Sequence, residues 1–154
     1  MRAARHRVVN YLLDTNVLSE FKKPRPDPNV YGWADSVDEG RTFLSAVTIG
    51  ELRRGAALLP PGRRKTELDA WIHEILSRRF EGRVLDVTWE IAEAWGELMA
   101  KAKRRGVGLQ PIDAFIAATA QVHGMTLATR NTKDFKECGV ALVNPWIMES
   151  ANLR

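Results

Sequence analysis

The sequence predicts an α/β sandwich on a mainly parallel, five-stranded sheet. Three observations lead there. Five short aliphatic and β-branched runs recur along the chain, segments with helical apolar spacing lie between most of them, and Pro- or Gly-rich breaks punctuate the alternation. With 154 residues and 45% hydrophobic content, the chain can bury the core of one compact domain. The whole span 1–154 is read as that domain, with the first seven residues a basic extension.

Val8-Val9-Asn10-Tyr11-Leu12-Leu13 reads as a buried first strand, and Asp14-Thr15-Asn16 supplies cap-type residues for a helix through about Phe21. After the break Pro24-Arg25-Pro26-Asp27-Pro28, a short helix carries Val30, Trp33 and Val37 on one face. Residues 42–47 form the second predicted strand, and Thr48 is expected to open a helix that ends near Leu59, before Pro60-Pro61-Gly62. A helix from about Arg64 to Arg79 leads to a third strand over 84–87. The next helix, about Trp89 to Arg105, has Ile91, Ala94, Trp95, Leu98 and Ala102 on its apolar face. Gly106 and Gly108 break it, Pro111 suits the first turn of a small-residue helix ending at His123-Gly124, and strands are expected over 125–129 and 140–143.

Net charge is +4 and the pI is near 9.5, so the surface favours an acidic partner over a neutral one. Basic residues gather at Lys22-Lys23-Pro24-Arg25, Arg53-Arg54, Arg63-Arg64-Lys65 and Lys101-Ala102-Lys103-Arg104-Arg105. Each cluster alone is also explained as a solvated face or a helix C-terminus. A single cysteine, Cys138, excludes an intrachain disulfide and a cysteine zinc cluster and fits a reducing compartment. No apolar run is long enough to span a bilayer and MRAARHR is not followed by a signal-type apolar region, so the expected location is the cytoplasm, with no membrane partner.

Four carboxylates mark the candidate site: Asp14, Glu51, Asp113 and Asp134. In a parallel sheet, Asp14 ends the first strand and Glu51 lies in the first turn after the second, which puts both at the carboxyl edge. The helix bearing Asp113 joins the fourth strand through about two residues, so it finishes near that strand's beginning. At about 1.5 Å per residue it spans roughly a strand length and starts at the opposite, carboxyl edge. Thr129, Arg130, Asn131 and Asp134 follow the fourth strand to the same edge.

Each acid has a local explanation. Thr48-Ile49-Gly50-Glu51 fits a capping box, Asp14 an N-cap, Asp113 a first-turn acid and Asp134 a loop or cap residue. Together these explanations weaken: two carboxylates about 4 Å apart repel by roughly 4 kcal/mol at an effective dielectric near 20, more than a cap contributes. A cation among them removes the difficulty. All-oxygen ligands select Mg²⁺, with Mn²⁺ able to substitute. Zinc is disfavoured, because His6, His73 and His123 have no metal-ligand spacing. Carboxylate-held Mg²⁺ is the recurring device of metal-dependent nucleases.

At these residues the chain resembles the PIN-domain ribonucleases, specifically the VapC toxin and FitB-like subfamily. The likeness runs from about Tyr11 to Trp146. It rests on residues 12–20 (LLDTNVLSE), 44–52 (LSAVTIGEL), 113–120 (DAFIAATA) and 127–131 (LATRN), with Asn144-Pro145-Trp146 closing the stretch of likeness. The resemblance implies a PIN-like three-layer α/β/α sandwich, Mg²⁺- or Mn²⁺-dependent endonucleolytic cleavage of RNA, a homodimer, and a cognate antitoxin with a DNA-binding domain.

By position, Asp14, Glu51 and Asp113 match the family's core acids and implied metal ligands. Asn16 matches the polar residue orienting the first acid, and Thr129 the hydroxyl residue nearby. FitB-like members carry an acid where this chain has Asn131, and the nearest acid here is Asp134. The fourth catalytic position is therefore shared between Asn131, which can ligate through its amide oxygen, and Asp134. Arg130 is a candidate contact for an RNA phosphate, or is tied up by an antitoxin group or by Asp134.

The family's dimer and antitoxin surfaces imply such a role for Ala56, Ala57, Leu58, Leu59, Trp71 and Ile75, for each of which plain core packing is the other reading. The leading expectation is the toxin of a type II toxin–antitoxin pair. The alternatives are a FitB-like subunit of a DNA-binding regulatory complex with weak or no catalysis and, more remotely, a receiver-like phosphoryl-transfer domain, which the missing Asp-x-Asp-x-Thr/Val motif disfavours.

Overall fold

The computed structural model describes residues 8–147. The basic extension 1–7, with His6, lies outside them. β1 (Tyr11–Leu13) runs between β2 (Thr42–Ser45) and β4 (Thr126–Ala128), while β3 (Val84–Leu85) and β5 (Leu142–Val143) form the edges. The order is β3-β2-β1-β4-β5, and each neighbouring pair is parallel. Leu12 stands opposite both Phe43 and Leu127, and Leu13 opposite Ala128. The chain winds outward from β1 through β2 and β3, then returns to lay β4 and β5 on the other side. The β1/β4 boundary is thus a topological switch point, where such sheets leave a crevice at the carboxyl ends.

Successive side chains of β1 serve opposite layers, as period-2 geometry requires. Leu12 and Leu127 pack with Ile91 and Leu98 of α6 (Trp89–Arg104) and with Ile116 and Ala117 of α7 (Pro111–His123). Leu13, Leu44 and Ala128 face the other core, with Val17 and Leu18 of α1 (Thr15–Lys22) and Leu52 and Ala56 of α3 (Ala46–Leu58). Two cores on either side of one sheet make a three-layer α/β/α sandwich. The buried Ala114, Ala117, Ala118 and Ala120 bring α7 close to its neighbours, and Trp95 stacks on Phe115 at 4.8 Å. Gly124 turns the chain in the left-handed conformation (φ 62°) between α7 and β4, so the short link predicted there is present.

The strands are shorter than predicted, and the most consequential difference is at α3. Residues 46 and 47 belong to the helix: Ser45, not Thr48, is its N-cap, its hydroxyl accepting from the Val47 N–H at 3.1 Å. The capping box at Thr48-Ile49-Gly50-Glu51 is therefore not formed. Thr48 is a fully buried interior residue whose hydroxyl has no hydrogen-bond partner within the described residues.

The helix expected over 64–79 is α4 (Arg63–Ala70), a π-helical segment (Trp71–Leu76) and α5 (Ser77–Arg79). The wider turn changes the helical phase: Ile72 and Leu76 are buried, whereas Ile75 is half exposed. α2 (Pro28–Ser36) carries a buried Val30, as its spacing predicted. α8 (Thr132–Phe135) follows β4 in a stretch without a helical period, being a single turn anchored by the buried Phe135. Among the described residues no helix is long and apolar enough to cross a membrane.

Candidate metal centre

Asp14 leaves the end of β1 as the N-cap of α1, and its backbone N–H is fixed to Ala128 O at 3.0 Å across the β1/β4 boundary. One carboxylate oxygen accepts from the Thr15 N–H (2.8 Å); the other accepts from the Thr129 hydroxyl (2.8 Å) and, more weakly, from the Asn16 amide (3.4 Å). Thr129 is fully buried, and its hydroxyl oxygen accepts from the Asn131 N–H at 3.0 Å. Asn16 closes the arrangement by accepting from the Arg130 N–H at 3.3 Å. The loop after β4 is thereby tied to the first turn of α1.

Because α3 begins at Ala46, Glu51 lies in its second turn, and its side chain does not return to a cap. It reaches across to the Thr15 hydroxyl, which donates to Oε1 at 2.9 Å. Asp113 sits in the first turn of α7. Asp14, Glu51 and Asp113 thus come from three separate elements to line one open cleft of about 400 Å³, as do Asn16, Arg130 and Asn131. No histidine or cysteine lines it.

Electrostatics in the cleft oppose the charged forms of Asp14 and Asp113. Burial pushes the Asp113 carboxyl up to about 6, and the charges of Asp14, Asp134 and Glu51 add to the effect. Asp14 is also raised, chiefly by burial, against the lowering action of its hydrogen bonds from Thr129 and Thr15. Among the described residues no three acidic, histidine or cysteine side chains already converge in metal-binding geometry. The donor chemistry nevertheless fits a hard divalent cation: oxygen ligands only, carboxylates repelling one another, and one of them binding its proton more tightly than an ordinary carboxyl.

The fourth position divides. Asn131 is exposed on the wall of the cleft. Asp134 is exposed on α8 and lines a neighbouring depression with Lys101, Arg105, Glu137 and Cys138, although its charge reaches both Asp14 and Asp113. Arg130 is not paired with Asp134; its guanidinium lies over the Trp146 ring at 5.2 Å. Sequence reasoning missed Thr15 as the partner of Glu51, and Ser19, Glu20, Lys23 and Trp146 as cleft residues. Two signals were available: Thr15 directly follows the first acid, and Trp146 follows β5 to the carboxyl edge by the same logic that placed Thr129.

Fold and cleft together define an α/β protein with an acidic crevice at the switch point of a parallel sheet. A family model described as PIN domain matches residues 11–140, and the chain belongs to that family. It is 40% identical over 135 residues to Toxin FitB of Neisseria gonorrhoeae, covering 88% of this chain and 97% of that protein. To the VapC ribonuclease Y4jK of Sinorhizobium fredii it is 39% identical over 135 residues, covering 88% and 96%. The solved structure of FitAB bound to an IR36 DNA fragment matches with a TM-score of 0.85 at 39% identity, covering 92% of this chain and 99% of that one.

Proposed function

We propose that this protein is the toxin of a type II toxin–antitoxin pair and acts as a divalent-metal-dependent endoribonuclease. The observation that carries the reading is the meeting of Asp14, Glu51 and Asp113 from three elements in one cleft, where burial and then the neighbouring acids raise Asp113. The relatives named VapC ribonuclease and Toxin FitB support the reaction class and the toxin role.

Asp14, Glu51 and Asp113 would hold the ion, Mg²⁺ in the reading favoured here, with Mn²⁺ as a substitute. When bound, it supplies Lewis-acid stabilisation of the phosphate and activation of the attacking water. The protein's own contribution is orientation. Thr129 and Asn16 fix the plane of the Asp14 carboxylate, and Thr15 turns Glu51 into the cleft. Asn131 would present a neutral amide on the cleft wall, and Asp134, in the neighbouring depression, would add a charge set farther back. Net positive charge elsewhere on the chain draws in the RNA backbone.

Purified protein is expected to cut RNA with Mg²⁺ or Mn²⁺, to stop when chelator is added, and to lose cutting in Asp14→Asn. Metal-independent cleavage would contradict the mechanism.

The partners follow the same reading: a cognate antitoxin with a DNA-binding domain, and a second copy of the chain. Leu58 and Ile75, 69% and 51% exposed, are apolar groups available for such contacts, whereas Ala56 is buried core. The solved FitAB complex with DNA, together with the neutral Asn131, favours a second reading in which this chain serves chiefly as a subunit of a DNA-bound regulatory complex with weak or no nuclease activity. Growth arrest on expression without the antitoxin, relieved by Glu51→Gln, would exclude it.

A further inference from the structure

Two cations line the acidic cleft, Lys23 and Arg130, and they are not equivalent. The Lys23 ammonium is committed to Glu20 Oε2 at 2.7 Å, and the other Glu20 oxygen accepts from the Asp27 N–H at 2.8 Å. Glu20 is thereby satisfied without Arg130, although the Arg130 charge helps to hold the Glu20 carboxyl below its usual range, after the Lys23 and Asp27 hydrogen bonds. Arg130 itself makes no ion pair with a carboxylate of the described residues.

Its position is nonetheless fixed. The guanidinium lies on the Trp146 ring at 5.2 Å, within the range of an attractive cation–π contact. The Arg130 N–H donates to Asn16, and the Arg130 carbonyl accepts from the Asn144 amide at 3.4 Å. Trp146 is anchored in turn: its N–H donates to Asn144 Oδ1 at 2.9 Å, its carbonyl accepts from the Asn29 amide at 3.0 Å, and its ring packs against the core beneath α1 and α3. An exposed arginine normally keeps much of its rotamer freedom; the contact with the Trp146 ring reduces it, and the backbone ties fix the point from which the side chain extends.

We propose that Arg130 is the phosphate-binding side chain of an RNA subsite beside the acids, and that Trp146 is a positioning residue acting through it. The proposal rests on the ribonuclease reading above. A planar guanidinium presents paired N–H donors that match two phosphate oxygens, and a stacked guanidinium keeps those edges free to donate. Its charge also offsets the repulsion an incoming phosphate meets from Asp14, Glu51 and Asp113. The subsite grips backbone, so it contributes affinity without selecting a base.

The test is equilibrium binding of a fluorescein-labelled single-stranded RNA of mixed sequence, across a salt series with Mg²⁺ present, in a Glu51→Gln background. Adding Arg130→Ala is expected to weaken binding by about tenfold and to lower the slope of log affinity against log salt by about 0.7, the loss of one phosphate contact. Arg130→Lys should restore the slope but only part of the affinity. Trp146→Ala should weaken RNA binding and Trp146→Phe should recover it, with thermal melts checking that each variant folds.

Unchanged affinity and slope in Arg130→Ala would overturn the subsite, as would an absence of RNA binding by the Glu51→Gln protein. A Trp146→Ala protein that melts earlier yet binds RNA normally would overturn the positioning role. The two levels separate cleanly. A wild-type protein that fails to cut RNA but shows the Arg130 effect defeats the ribonuclease reading alone; one that cuts RNA without the Arg130 effect defeats the subsite alone.

Discussion

The two walls of the acidic cleft are built differently. On the β1 side, Asp14 and Glu51 are held by hydrogen bonds from Thr15, Asn16 and Thr129, so their carboxylates are oriented before any ligand arrives. On the α7 side, Asp113 stands in a first helical turn, and its dominant property is electrostatic: burial and three neighbouring acids raise it to about 6. One wall is a fixed template, and the other responds to charge. The contrast teaches that carboxylates in one cleft can be prepared for a cation in two ways, by orienting them through hydrogen bonds and by raising the cost of their charged form.

The largest effect should come from the template. Asp14→Asn removes an oriented carboxylate and is expected to reduce RNA cleavage by more than about 100-fold, measured as single-turnover rates in Mg²⁺, with little change in thermal melt. Thr129→Ala leaves all the acids in place but releases the Asp14 oxygen it binds at 2.8 Å, and should cost about 10- to 100-fold in metal affinity or rate. Thr15→Val should fall at the lower end of that range, because it frees only Glu51. If both hydroxyl variants cut RNA like the parent protein, the template description fails.

The responsive wall is addressed by pH. The Asp113 carboxyl is raised in the folded protein, so the folded state holds its proton more tightly than the unfolded chain. Its contribution to the stability of the metal-free protein is greatest below about pH 3.8, declines as pH rises towards 6, and is gone above that. A divalent ion should reverse the trend, raising the melting temperature more at pH 7.5 than at pH 5, where protons compete for the ligand. Asp134→Asn should give the smallest effect. It removes one of the charges that raise Asp113, so the midpoint of this pH dependence moves down by a fraction of a unit while RNA cleavage largely persists.

The sheet and both helical layers were legible because strand-like runs and helical periods alternate along the chain, and the parallel connections then put the acids on one edge. Local cap chemistry was less legible. Thr48 and Glu51 match a capping box in letters, yet Ser45, three residues earlier, provides the same chemistry and starts the helix there. That shift sends Glu51 to Thr15, a contact between residues 36 apart in sequence that no local pattern reveals. The π-helical turn at Trp71–Leu76 was hidden for a related reason: a single wide turn leaves the apolar residues at spacings that an ordinary helix also tolerates. The pairing of Arg130 with Trp146, across β5, is likewise tertiary.

Asp14, Glu51 and Asp113 are expected to hold one divalent cation together. A crystal of the protein soaked in Mn²⁺ tests it directly by anomalous diffraction. A manganese peak coordinated by oxygens of all three acids is expected. Manganese bound without Asp113, or no peak in the cleft at a pH where Asp113 is ionised, would contradict it.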